Sequence, residues 1–276
     1  VGVVSHVFAG NSRRVTETYS RGSSAANVDL SGKWSENLFL QGALHYEDYS
    51  DFDSELVYKV AGKFDITDSF GIRASYGTGF RAPTPGQQGT INVSTRLPNG
   101  LPVATGLFPA NSSVALALGS SPLTPELATN YTLGITGSIG ELDLTIDMYR
   151  IDMEDRTYAI STRDVSTDPA AGSAYSNYQA LVAAGIPGAE SIGGVLYFAN
   201  AFDTKTQGVD IVATYPLSLT SDSETILTAS MNFNSSEFDS DPSAYLNAEN
   251  TYDFENGDPE WRGVVMARHM VGDLTL

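Results

Sequence analysis

Phe70-Gly-Ile-Arg-Ala-Ser-Tyr-Gly-Thr-Gly-Phe-Arg81 sets Phe70, Ile72, Ala74 and Tyr76 on one parity and Gly71, Arg73, Ser75 and Gly77 on the other. A strand turns successive side chains to opposite faces, so the period-2 pattern predicts a strand with one apolar and one polar face. Taken alone, it fits an ordinary half-buried strand equally well. The pattern recurs on both sides of this stretch, and the recurrence decides the fold.

Upstream, Leu38, Leu40, Leu44 and Tyr46 oppose Gln41, His45 and Glu47, and after Asp51-Phe52-Asp53-Ser54 the set Leu56, Tyr58, Val60 and Phe64 opposes Lys59 and Lys63. Downstream come Tyr131, Leu133 and Ile135, then Leu142 to Met148, Val209 to Tyr215, Leu227 to Phe233, and a last full run near Trp261 to Arg268. This makes about nine strands, each about 10 residues or longer, whereas strands of soluble domains average about five or six. A tilted strand that crosses a bilayer needs about nine to eleven.

The connections alternate in length. They are short at Ser35 to Asn37, Thr67 to Ser69, Ser138 to Glu141, Ser218 to Glu224 and Gly272-Asp273. On the opposite rim one short link, Ser50 to Ser54, is followed by 45 residues from Arg81 to Pro125, 50 from Arg156 to Lys205 and 24 from Glu237 to Glu260. A sheet trimmed on one rim and elaborated on the other is the pattern of outer-membrane barrels.

Bulk composition agrees. The 276 residues carry a net charge of -18, which repels a phosphate backbone and sets nucleic acid aside as a partner. Without cysteine there is no disulfide framework, thiolate metal site or cysteine nucleophile. No run approaches the ~18 apolar residues of a spanning helix, so any crossing is made by strands. His6, His45 and His269 stand far apart, and Tyr76-Gly-Thr-Gly-Phe80 lacks the third glycine and the following helix of a nucleotide loop. Neither a Gly-x-Ser-x-Gly elbow nor a His-Glu-x-x-His motif is present, so nothing points to an enzyme.

Three segments in order resemble the TonB-dependent receptors: Arg73 to Thr84, with Tyr76, Gly79, Phe80, Arg81 and Pro83; Thr124 to Gly134, with Pro125, Glu126, Asn130 and Gly134; and Asn200 to Asp210, with Asn200 and Gly208. The resemblance runs from about residue 23 to 276 and implies an all-β antiparallel transmembrane barrel of 22 strands. Of these the chain would supply nine to ten, with periplasmic turns and long extracellular loops. It also implies outer-membrane lipid and TonB as partners, a Gram-negative outer membrane as location, and import of an iron chelate, cobalamin or similar small nutrient. TonB would act through an N-terminal part not seen here. With no plug before the strands and an end at Leu276, residues 1–276 read as a fragment of the barrel domain, its last strands missing.

Two sets of loop residues are candidates for binding. Tyr175, Tyr178, Tyr197, Tyr245, Tyr252 and Phe254 offer flat surfaces for a ligand ring or sugar, or else form an interfacial girdle or packing between loops. The stretch Glu237 to Glu260 holds eight acids and no basic residue, so Asp239 and Asp241 are first candidates for Ca²⁺, against an exposed, self-repelling loop. Two other functions fit parts of this pattern. A passive porin shares the alternation but not the three family-like segments, and a soluble carbohydrate-binding module predicts no lipid-facing aliphatic band.

Overall fold

The computed structural model describes residues 21–97, 102–220, 223–271 and 274–275. Val1 to Phe8, with His6, and the turn Gly272-Asp273 lie outside the described residues. In chain order β1 (Ser23–Lys33), β2 (Leu38–Tyr49), β3 (Glu55–Thr67) and β4 (Phe70–Arg81) form consecutive antiparallel neighbours. After an excursion holding β5 (Asn92–Arg96) and β6 (Val103–Leu107), β7 (Glu126–Ile139) pairs with β4 and β8 (Leu142–Ala159) with β7. A second excursion carries β9 (Arg163–Asp164) and β10 (Ile192–Leu196) before β11 (Phe198–Thr220), β12 (Ser223–Phe238), β13 (Trp261–Val271) and β14 (Leu274–Thr275). Among the described residues the result is one open ten-stranded antiparallel sheet, with β1 and β14 at its edges. No described helix is long and apolar enough to cross a membrane, which says nothing about strands.

Cross-strand partners align in rows. One row reads Leu38, Phe64, Ile72, Ile135, Ile146, Ile211, Met231 and Gly263 on eight successive strands. The adjacent row, on the opposite face, reads Phe39, Lys63, Arg73, Gly134, Asp147, Asp210, Asn232 and Arg262. One face is aliphatic and the other charged, as the alternation predicts. The apolar side chains are nonetheless exposed, Leu56 at 62% and Val265 at 83%, because none of the described residues covers that face.

The apolar band does not follow the rows. Counting from the Leu38–Gly263 row toward the long-loop rim, it extends eight residues on β2, to Tyr46, but two on β12, to Phe233. Its lower limit falls in the same sense, from Leu38 on β2 to Leu227 on β12, four residues below the row. A drift of about five residues at ~3.4 Å, over six strand spacings of ~4.8 Å, sets the strands about 30° from the normal to the band. Barrel strands tilt by a similar ~35–45°. Tyr58, Tyr76 and Tyr131 stand side by side near the band's upper limit, ring centroids 5.9 and 5.1 Å apart.

The connections alternate as expected, but two boundaries move. β8 continues to Ala159 and β11 begins at Phe198, so the connection expected from Arg156 to Lys205 is shorter. Register shifts between Asn200 and Phe202, and again between Phe202 and Thr204, break the parity there, and the period-2 signal fails although the strands still pair.

The long connections are not bare loops. They carry α1 (Pro85–Gly89), α2 (Ser113–Ala117), α3 (Ser173–Ala183) and α4 (Ala248–Asn256), and a second sheet ordered β5-β6-β10-β9. Thr84 and Gln87 close a capping box on α1, while Ser112 and Asn247 cap α2 and α4 by accepting backbone N–H groups. The buried apolar core lies here, built on Ile160, Leu181, Val195, Tyr197, Phe202 and Leu246.

Candidate functional site

The polar face carries the first part of the site. Arg73 of β4 donates from Nε to Asp147 Oδ1 of β8 at 2.8 Å and from Nη2 to Oδ2, passing over Gly134 of β7. A Cβ at Gly134 would collide with the Asp147 carboxylate and come within 2.9 Å of Arg73 Nε, so the glycine makes the ion pair possible. Farther along the row Asn232 Nδ2 donates to Asp210 Oδ1 at 2.8 Å and to the Tyr149 hydroxyl at 3.3 Å. Tyr149 lies against Gly208, where a Cβ would strike its phenol. Arg73, Asp147, Asp210, Asn232 and Arg262 line a cavity of about 590 Å³. Lys63 pairs with Asp65 at 2.9 Å and Arg262 with Asp258 at 3.2 Å. Such a wall holds a polar surface by charge-assisted hydrogen bonds.

The second part is a set of clamps where the long connections leave the sheet. Asp155, φ +54°, is the one non-glycine residue with positive φ among those described. Its N–H donates to Asp203 Oδ1 at 2.9 Å, and its carbonyl accepts from Asn200 Nδ2 at 2.8 Å, so β11 fixes a conformation that is otherwise costly. Asn200 also exchanges two bonds with the Thr124 backbone, 2.8 and 2.9 Å. Glu126, 2% exposed, accepts the Thr157 N–H at 2.8 Å and pairs with Arg81 at 3.3 Å. Pro83 is buried, and its carbonyl accepts from Gln88 at 3.3 Å and from Arg21. Arg21 pairs with Asp51 at 3.0 Å and lies over the Phe52 ring at 4.8 Å. Phe80 stacks on His45, centroids 6.5 Å apart, and Gly79 leaves room beside Asn130. Pro125 immediately precedes buried Glu126 at the start of β7.

The third part is the cap formed by the long connections. Tyr197 is 1% exposed, its hydroxyl donating to Leu118 O at 3.1 Å, and burial pushes its phenol pKa up. Tyr178, Tyr245 and Phe254 pack against the same core, Phe254 with its ring 4.5 Å from that of Phe238. Tyr175 sits beside Tyr178 on α3 at 6.1 Å, and Tyr252 is 65% exposed. Of the six rings, Tyr252 is the one freely presented.

Asp241 Oδ1 accepts the Ser243 N–H at 2.9 Å, and this bond holds its carboxyl below the usual range. Asp239 donates its N–H to Asp203 O at 2.9 Å. Among the described residues no group of three or more His, Asp or Glu side chains is placed to hold a metal ion. Sequence reasoning did not find Asp155, Asp203 or Asp147. The first two act at a bulge that period-2 reading cannot locate, whereas the glycine opposite Arg73 was a readable signal.

The profile of the family described as TonB dependent receptor-like, beta-barrel matches residues 5–274. The vitamin B12 transporter BtuB of Vibrio cholerae serotype O1 is 30% identical over 80 residues, 27% of this chain and 13% of the transporter. The chain thus matches a small part of that relative. The ferric enterobactin receptor PfeA of Pseudomonas aeruginosa, solved as a mutant, superposes with a TM-score of 0.56 at 12% identity, covering 92% of this chain and 31% of PfeA. The siderophore receptor PirA of the same organism gives 0.52 at 14%, covering 92% and 43%. At such identities the superpositions speak for the fold alone. With the family profile spanning nearly the whole sequence, the chain belongs to the TonB-dependent receptor-like β-barrel family.

Proposed function

We propose that the chain forms part of the wall and outer rim of a receptor in a Gram-negative outer membrane. The receptor takes up a scarce nutrient, a ferric siderophore or cobalamin, with energy delivered through TonB. The observation that carries this reading is the oblique apolar band. A contiguous aliphatic face this large is a liability in water but is what a barrel wall presents to lipid. The charged face then lines the lumen, and the cap lies outside the cell. The relatives' names support the nutrient class, since a vitamin B12 transporter and two siderophore receptors share sequence or fold with the chain. Recognition is non-covalent, and outer-membrane lipid, TonB and the iron chelate or cobalamin are the partners.

The test is periplasmic accumulation of radiolabelled ferric enterobactin and of cyanocobalamin, with and without the gene, under nutrient limitation. Loss of one of the two on deletion, and again on collapse of the proton gradient, is expected. Accumulation of both regardless of the gene refutes the nutrient assignment. Gene-dependent accumulation that survives collapse of the gradient points to the passive barrel instead.

A further inference from the structure

We infer that the three long connections act as one cooperative roof over the β7–β12 side of the mouth, and do not open loop by loop. The inference rests on the proposed reading in one respect, that ligand arrives at this rim.

The connections share secondary structure. β6 of the first pairs in parallel with β10 of the second, and Phe108 N donates to Leu196 O at 2.8 Å where the pairing ends. The third joins the second through Ser161, whose N–H donates to Tyr245 O at 2.9 Å and whose hydroxyl accepts from Asn247 N at 2.9 Å. They also share a core, since Ala115, Leu181 and Leu246, one from each connection, are buried in one cluster.

The roots are equally tied. Asn200 and Glu126 bond the ends of the first and second connections to each other, and Asp203 bonds to both Asp155 and Ser240. A single connection that swung away would leave main-chain groups of its neighbours unpaired and expose the common core. Opening therefore involves the whole roof together, or takes place elsewhere around the mouth. One candidate is the short Ser50 to Ser54 link, which takes no part in the shared core.

Amide hydrogen exchange on the intact protein in detergent tests this, with Leu181→Ala placed in the second connection alone. Exchange at Val103–Leu107, Ile192–Leu196 and Leu246 should accelerate together, by tenfold or more and by similar factors, while the β4–β7 pairs around Ile72 stay unchanged. Acceleration confined to the second connection overturns the inference. Should the variant fail to assemble, the wild-type protein decides. Opening constants for the three segments that agree within about tenfold support one unit, and values spread more widely sink it. The readout needs no ligand, so a failure of the nutrient-uptake reading leaves the exchange result standing.

Discussion

Arg73 and Asp147 meet across a strand that belongs to neither: β7 runs between β4 and β8, and Gly134 sits where the guanidinium crosses. The glycine is thus a third member of the pair. Gly134→Val should expel the ion pair and cost about 1–3 kcal/mol, as overpacking does. Gly137→Ala on the apolar face, where a Cβ makes an ordinary 3.5 Å contact with Phe70, should change stability by less than about 1 kcal/mol. Equilibrium unfolding in phospholipid vesicles gives both values, and equal losses would remove the special role of Gly134.

The two faces of β11 make a sharper contrast. Ile211→Arg, in the apolar row, should cost about 2–4 kcal/mol if that row lies at the bilayer midplane. Asp210→Asn next to it retains an acceptor for Asn232 and should stay within about 1 kcal/mol. The same vesicle assay compares them, and a harmless Ile211→Arg would mean that the aliphatic face does not contact lipid.

Asn200→Ala removes three side-chain bonds at once, two to Thr124 and one to Asp155. Leaving these backbone groups unpaired should cost about 2–3 kcal/mol. The effect should appear as faster proteolytic nicking in 160–197. Asn200→Asp keeps the acceptor for Thr124 N–H and loses both donor bonds, so it should rescue little.

Acid should loosen the other side of the rim. Burial works to raise the Asp51 carboxyl pKa, but hydrogen bonds from Arg21 and Gln88 outweigh it and hold the group below its ordinary 3.8. A lowered carboxylate pKa adds stability that is fully present above the ordinary value and is lost as pH falls through the lowered one. The stability difference between wild type and Asp51→Asn should therefore be flat well above the ordinary 3.8 and shrink as pH falls below it. A difference that grows on acidification would contradict the assignment.

Much of the sheet was legible because its two faces meet different surroundings. Where Ile72, Ile135 and Ile211 oppose Arg73, Gly134 and Asp210, parity alone places every side chain. Legibility stops near Asp155, where bulges end strict alternation while pairing continues. In the sequence the cap reads as plain connection because its helices are short and its core is assembled from distant pieces. Thr84-Pro-Gly-Gln87 was a visible capping box, and Asn247 followed by Glu249 a visible helix start. Local composition separates Tyr197, inside the apolar run Val195-Leu-Tyr-Phe-Ala199, from Tyr252, which stands among Glu249, Asp253 and Glu255. What the sequence hides is the partner of the Tyr197 hydroxyl, the carbonyl of Leu118, 79 residues away.

That reliance on distant pieces predicts an order of folding. Ala115, Leu181 and Leu246 are separated by 66 and 65 residues of chain, and closing such distances in an unfolded chain is entropically expensive. Pairing of β4 with β7, β8 with β11 and β12 with β13 brings the ends of each connection to one rim, so the sheet removes most of that cost beforehand. The cap core is therefore expected to condense last, on strands already in register, and its amides to gain protection after those of the sheet in pulse-labelled refolding. A slip of register in β8 or β11 would be felt first as a roof that never forms.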